Sequence, residues 1–129
     1  MDLKQIKTFD DLKNNVYFKR TMLSDIEIAK LLPNNDIEKL MDVMNNEDFA
    51  MKMNFIADML IILNKGYFSY CDVWDKTADR GIELNKKLLL SFKTEEISEL
   101  SNIALAEFTI DGEAEVEAEA KKKEDLETK

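Results

Sequence analysis

Three aspartates are the side chains best spaced for metal chemistry. Asp72, Asp75 and Asp79 lie three and four residues apart, which places them on one face of a helix. Carboxylates in this arrangement could share a Mg²⁺ or Ca²⁺ ion. Lys76, however, stands four residues after Asp72, and Arg80 directly follows the last aspartate. A solvated, ion-paired face explains the same pattern, and we predict no metal site.

The sequence contains few side chains that could serve in nucleophilic or acid–base catalysis. The chain has one cysteine, Cys71, and no histidine. Without a histidine to activate it, the thiol is predicted to be inert and partly buried, and a single cysteine excludes an internal disulfide. The three glycines are scattered, so no phosphate-binding loop is present. We expect a protein that is not an enzyme and needs no cofactor.

The charge balance limits the partners. The formal net charge is −9, of which −4 comes from eight acids and four lysines in residues 111–129. Such a chain is a poor ligand for nucleic acid or for an anionic membrane. The longest apolar run, Met59–Leu63, is too short to span a bilayer, and the first eleven residues lack the apolar segment of a signal peptide. We therefore expect a cytoplasmic protein.

The scarcity of helix-breaking residues, proline and glycine, predicts a mainly α-helical fold. One proline and three glycines favour a compact bundle of five or six helices, with residues 1–110 as one domain. The segment Val16–Leu23 is rich in aromatic and β-branched residues, so a short N-terminal strand or hairpin is an alternative to helix there. Residues 111–129 carry too few large hydrophobic side chains to offset their ordering entropy, which predicts a disordered acidic tail.

Several local signals predict where helices begin. Thr8, with Asp11 three residues on, is typical of a capping box, and Ser24 is expected to cap a short helix that Pro33 ends. Thr94 is expected to cap the last helix. Two apolar stripes support these helices: Ile37, Leu40, Met41 and Met44 in the first half, and Ile97, Leu100, Ala104 and Phe108 at the end.

The region Glu47–Lys65 carries the strongest helical periodicity. One apolar line contains Phe49, Met53, Ile56, Leu60 and Leu63, and a second contains Met51, Phe55, Met59 and Ile62. A helix that is apolar over most of its circumference must be covered on more than one side. Gly66 is expected to end it, and Ser69–Asp72 to start another helix that Gly81 closes. Either both lines are core, or one of them faces a partner.

The methionine side chains lean towards the second interpretation, whereas the aromatic side chains are more typical of a core. Five of the seven methionines fall between Met41 and Met59, and such side chains adapt to irregular apolar partners. Four aromatic residues cluster between Tyr67 and Trp74, and aromatic residues are enriched at interface hot spots. Core packing remains the alternative for both groups. The candidate partner-binding residues are Phe55, Met59, Ile62, Tyr67, Phe68 and Trp74.

One stretch resembles a known family. "NEDFAMKMNFIADMLIILNKGYFSYCDVWDKTADR", followed by "TEEISELSNIALAEF" and a charged end, is similar in size and texture to the tail assembly chaperones of long-tailed bacteriophages. The resemblance covers Asn46–Phe108. It implies a non-enzymatic protein that shields apolar helices of the tape-measure protein and helps to recruit tail-tube subunits. Self-association stays open, and no catalytic residue transfers.

Two questions remain open at this level. Chaperones of this kind are commonly made in two lengths by ribosomal frameshifting, and Lys121–Lys123 is what an A-rich slippery run would encode, but a solvating lysine cluster explains it equally. The alternative function is an acidic inhibitor that mimics nucleic acid and blocks a DNA-binding host protein. Fourteen bases interleaved with the acids of residues 1–110 weaken that alternative.

Overall fold

The computed structural model describes residues 5–109, which form six α-helices joined by turns. The helices are α1 (Phe9–Lys13), α2 (Met22–Ala29), α3 (Leu40–Met44), α4 (Phe49–Trp74), α5 (Lys86–Leu90) and α6 (Thr94–Leu105). Short 3₁₀ turns cover Pro33–Asn35, Ile37–Lys39 and Ala106–Thr109. Within these residues no strand forms, and the predicted mainly α-helical class is confirmed. The predicted tail, residues 111–129, lies outside the described part of the chain.

Helix α4 is the central element. It has 26 residues, and at the helical rise it is about 39 Å long. The carboxylate of Asp48 caps its start by accepting a hydrogen bond of 3.1 Å from the backbone N–H of Met51. Helices α2, α3, α5 and α6 all pack against it. This arrangement covers most of both apolar lines of α4 and explains why its sequence is apolar over most of its circumference; Phe49 and Met51, near the start of the helix, stay exposed.

Gly66 does not end this helix. The prediction of two helices separated by Gly66 is wrong, because α4 continues through Gly66 to Trp74. The glycine is required for another reason: a Cβ atom at this position would lie less than 3.0 Å from the carbonyl oxygen of Lys19. The close approach of another backbone segment, and not a left-handed helix end, accounts for the residue.

The segment that crosses α4 is extended but forms no strand. Val16 and Phe18 are buried, whereas Tyr17 and Lys19 are half-buried, so the side chains alternate as in a strand. The backbone groups pair with α4 and with the loop after it instead of with a second strand. The N–H of Lys19 donates to the carbonyl of Leu63 at 3.0 Å. The choice between strand and helix at Val16–Leu23 is thus resolved as extended chain followed by the start of α2.

The predicted helix starts are partly correct. Thr8 and Asp11 form the expected capping box of α1. Helix α2 begins earlier than predicted, because Thr21 is its cap and Ser24 closes the box by accepting from the N–H of Thr21 at 2.7 Å. Helix α6 also begins one position earlier than predicted. Thr94 is its first helical residue and not its cap, and Lys93 occupies the capping position.

The core lies around α4. Its fully buried side chains include Leu12, Ile28, Met59, Leu60, Leu63, Ile82, Leu89 and Leu100. They come from α1, α2, α4, α5, α6 and the segment before α5, so residues 5–109 share one core. In the same part of the chain, no helix is both long and apolar enough to cross a membrane.

Candidate protein-binding site

The six predicted partner-binding residues do not share one surface. Phe55 and Met59 are 6% and 0% exposed and belong to the core, so the expectation that their line faces a partner is corrected for these two positions. Ile62, Tyr67 and Phe68 are half-buried. Trp74, at the end of α4, is 75% exposed. The physical reason is that other helices pack on α4 and enclose these two side chains in the common core.

Helix α2 instead carries exposed apolar side chains that the sequence reasoning missed. Met22, Leu23 and Ile26 are all exposed, whereas Ser24 and Ile28 of the same helix are buried. The signal was present in the sequence, since an eight-residue helix with four large apolar residues has more than one apolar face. The exposed face lies beside the seam between α2 and α4.

A first groove opens at the N-terminal end of α2. It has a volume of about 250 Å³. Its walls are Thr21, Leu23, Ser24 and Glu27 from α2 and its cap, and Ile62, Lys65, Gly66 and Ser69 from α4. The groove floor exists because Gly66 has no side chain and Ser24 is small.

A second groove opens beyond the C-terminal end of α2. It has a volume of about 540 Å³. Its walls are Leu31, Leu32, Pro33, Val43 and Asn46, and from α4 Met51, Asn54, Phe55 and Asp58. Leu31 and Met51 are exposed at its rim, and Phe55 forms part of its floor. Apolar side chains therefore dominate its lining.

The two grooves follow one another along the same face of α4. The α4 residues that line them, from Met51 through Asp58 and Ile62 to Ser69, recur at spacings of three and four. On the opposite wall Leu23, Glu27 and Leu31 recur every four residues. We call the two grooves together the α2–α4 groove. From Met51 to Ser69 it runs along about 27 Å of helix, the length of about five helical turns.

The charges of the α2–α4 groove are largely paired. Glu27 lies 3.3 Å from Lys30, and Asp58 lies 3.2 Å from Lys86 of α5. Lys65 adds a positive charge near the first groove. With both acids paired and one further lysine nearby, the groove carries little net charge. Its mainly apolar lining is therefore what a partner would contact.

The aromatic residues near the end of α4 support the loop that follows it. The hydroxyl of Tyr67 donates to the carbonyl of Asp79 at 3.2 Å, and its ring lies 5.2 Å from that of Tyr17. Burial, together with a hydrogen bond to Cys71, raises the pKa of Tyr67. Cys71, which was predicted to be partly buried, is almost completely buried, with 1% of its surface exposed.

The three aspartates do not converge. Asp72 pairs with Arg80, and not with the predicted Lys76. Asp75 accepts from the hydroxyl of Thr77 at 3.4 Å, and Asp79 accepts from the N–H of Gly81 at 2.9 Å. Among residues 5–109, no three acidic, histidine or cysteine side chains are grouped as metal ligands would be.

Asn64 is a second residue that the sequence reasoning did not single out. It is fully buried in α4, and its amide donates to the carbonyls of Tyr17 and Ile82, each at 3.0 Å. Its side-chain oxygen accepts from the N–H of Leu84 at 2.8 Å. One side chain thus ties the extended segment and the 82–84 segment to α4.

Comparison of the chain with protein-family models, with curated proteins and with solved structures gave no match. The site is therefore interpreted from its own geometry.

Proposed function

We propose that this protein is a non-enzymatic chaperone that shields an apolar helix of a client protein in the α2–α4 groove. The sequence resemblance to phage tail assembly chaperones suggests the client: the tape-measure protein, with tail-tube subunits as further partners. The groove contains three of the four residues of the second apolar line of α4, Met51, Phe55 and Ile62, whereas Met59 is part of the core. The proposal adds the residues of α2 as the opposite wall of the binding face.

The exposed apolar wall of the groove is the observation that carries this proposal. Leu23 lines the first groove and is exposed, and Met22 and Ile26 of the same short helix also leave much of their apolar surface in water. Monomeric proteins rarely leave contiguous patches of this kind without a partner. An amphipathic helix that lays its apolar face in such a groove is a common mode of recognition.

The size of the groove and its side-chain types suit a helical client. The two grooves together span about 27 Å of α4, which corresponds to about eighteen residues of a client helix. Met51 lines the second groove and Met22 is exposed on α2, and both are flexible side chains that adapt to different apolar partners. Met44 and Met59, in contrast, are buried, so the methionine cluster of the sequence divides between core and surface.

The alternative of an acidic nucleic-acid mimic has less support. Such a protein needs unpaired carboxylates spaced like phosphates along one face. In residues 5–109, Asp25, Glu27, Asp58, Asp72 and Glu99 each lie within 4.0 Å of a lysine or arginine. These ion pairs remove part of the free carboxylate charge that such a mimic would present.

Matched substitutions test the proposed function. Leu23→Asp places a charge in the groove wall, and Leu90→Asp makes the same change at an equally exposed leucine of α5 outside it. Each variant would be co-expressed with tape-measure segments from the genome that encodes this chain, and the soluble complex would be quantified. We expect the wild type and Leu90→Asp to hold the client in solution and Leu23→Asp to lose it.

Two results would contradict the proposal. One is a wild-type protein that captures no tape-measure segment. The other is equal capture by the Leu23→Asp and Leu90→Asp variants, which would place the client elsewhere. The position of the gene provides an independent check, since a tail assembly chaperone is expected just upstream of a very long, helical open reading frame.

A further inference from the structure

The two parts of the α2–α4 groove repeat the same four positions of α4. The residues of α4 that line the second groove are Met51, Asn54, Phe55 and Asp58, and those that line the first are Ile62, Lys65, Gly66 and Ser69. Each residue of the second groove has its counterpart in the first groove eleven positions later. Eleven residues make about three helical turns, so both grooves open on the same side of α4, about 17 Å apart along its axis.

Each groove is large enough to enclose a side chain of a partner. A cavity of about 150 Å³ is enough to hold a benzene molecule. The first groove has a volume of about 250 Å³ and the second a volume of about 540 Å³. One large apolar side chain therefore fits into each groove.

Charged side chains lie where the two grooves meet. Glu27 is the residue of the first groove that is closest along α2 to the second groove. Asp58 is the residue of the second groove that is closest along α4 to the first. Both carboxylates are held in ion pairs, with Lys30 and Lys86. A helix that lies along the groove thus finds two apolar cavities with polar side chains between them.

Lys65 carries the charge of this lining that is not compensated within residues 5–109. It is exposed at the first groove, and none of the ion pairs in that part of the chain includes it. The other charged residue of the first groove, Glu27, already lies 3.3 Å from Lys30. A carboxylate is therefore the partner charge that complements this end of the groove.

We propose that the client segment is an amphipathic helix with two large apolar side chains eleven positions apart and a carboxylate beside one of them. The two apolar side chains fill the two grooves at once, because eleven residues of a client helix cover the same distance and rotation as eleven residues of α4. The carboxylate faces Lys65, on the outer side of the first groove and away from Glu27 and Asp58. This inference rests on the function proposed above, since it specifies which helices the α2–α4 groove accepts.

Synthetic helices of one composition test the spacing. Each is a fluorescein-labelled, alanine-rich peptide with one phenylalanine near its start and a second one eleven, nine or seven positions later. A spacing of nine puts the two rings on opposite faces, and a spacing of seven keeps them on one face but about 6 Å closer together. Fluorescence anisotropy with the full chain measures binding. We expect the spacing of eleven to bind at least about tenfold more tightly, because in the other peptides one ring stays in water.

A glutamate-to-glutamine exchange in the peptide with a spacing of eleven tests the carboxylate. The glutamate stands one turn outside the first or the second phenylalanine, so that both directions of the client helix are covered. In the peptide that binds better, glutamine should weaken binding about two- to fivefold, as for exposed ion pairs. The exchange should have no effect with Lys65→Gln, and it should keep its effect with Lys87→Gln, which changes an exposed lysine of α5.

Two protein variants locate the bound peptide. Ser69→Leu fills part of the first groove, and Ser98→Leu makes the same change at an exposed position of α6. Only Ser69→Leu should remove the advantage of the spacing of eleven over the spacing of seven. Circular dichroism melting checks that both variants are folded, and Leu23→Asp replaces Ser69→Leu if that variant is not.

The inference is overturned if the three spacings bind equally, if no peptide binds, or if Ser69→Leu and Ser98→Leu retain the same preference. An equal effect of glutamine with Lys65→Gln and Lys87→Gln overturns the assigned carboxylate. Failure of the proposed function is read separately, from the capture of tape-measure segments. Equal binding of all spacings that Leu23→Asp abolishes would overturn the spacing rule alone, because the client would still occupy the groove.

Discussion

Gly66 of α4 lies directly against the carbonyl oxygen of Lys19, so closely that no Cβ atom fits between the helix and the extended segment that crosses it. The contact is reinforced by the hydrogen bond from the N–H of Lys19 to the carbonyl of Leu63. It sets the distance between α4 and the start of α2, and so the floor of the first groove. Because the close atom is backbone, it cannot move aside as a flexible side chain would.

Gly66→Ala should therefore destabilise the protein. In an ordinary helix interior this change is stabilising by about 1 kcal/mol. Here the added methyl group must push two backbones apart, and we expect a net loss of about 1–3 kcal/mol, as for other overpacked sites. Ser69→Ala, one turn further on an exposed position, is the control and should not lower stability. Urea unfolding measures both, and an increase in the stability of Gly66→Ala would refute the tight contact.

Asn64→Ala should cost more than a typical polar substitution. Three backbone groups, from Tyr17, Ile82 and Leu84, lose their partner in the interior. We expect a loss of about 3 kcal/mol or more, since each buried group left unpaired costs about 1–3 kcal/mol. Asn54→Ala, on the exposed face of α4, should change stability by less than about 0.5 kcal/mol. Equal effects of the two substitutions in chemical denaturation would contradict the role assigned to Asn64.

Phe55→Asp and Leu23→Asp should behave as core and surface substitutions. Phe55 is 6% exposed, and a carboxylate there would be buried without a partner, so we expect the variant to be unfolded at room temperature. Leu23 is 58% exposed, and its replacement should change stability by less than about 1 kcal/mol. Thermal melting followed by circular dichroism distinguishes the two. A folded Phe55→Asp protein would restore the original expectation of a binding line through Phe55.

Removal of residues 112–129 should leave cooperative unfolding intact. The reason lies in the sequence, since the segment contributes only one valine and one leucine as larger apolar side chains. The midpoint of urea unfolding of residues 1–111 should match that of the full chain. If the truncated protein instead unfolds without a clear transition, the segment packs on the domain and the predicted boundary near residue 110 is wrong.

Much of the fold was readable from the sequence because its signals are local. The capping box of Thr8 and Asp11 depends on residues three apart. The stripe of Ile97, Leu100 and Ala104 depends on the period of one helix, and these three residues are buried as predicted. The helical class itself follows from the scarcity of proline and glycine. None of these inferences requires knowledge of what the helix packs against.

The binding surface was less predictable because exposure depends on other elements. The two apolar lines of α4 are indistinguishable in the sequence, and only the packing of the other helices decides that Phe55 and Met59 are buried whereas Phe49 and Met51 are exposed. The pairing of Asp72 with Arg80, in place of Lys76, depends in the same way on the loop after α4.

The sequence by itself determined that this chain is mainly helical and where several of its helices begin. The tertiary structure alone decided that Gly66 lies inside a helix, since the reason is a backbone segment 47 positions earlier in the chain. It also decided which members of the apolar stripes are exposed, such as Met41, Phe49 and Met51, and that Met22, Leu23 and Ile26 of α2 are exposed as well. The physical reason is common to both: capping and periodicity act within about one helical turn, whereas close backbone approach and burial are set by residues that are distant in sequence.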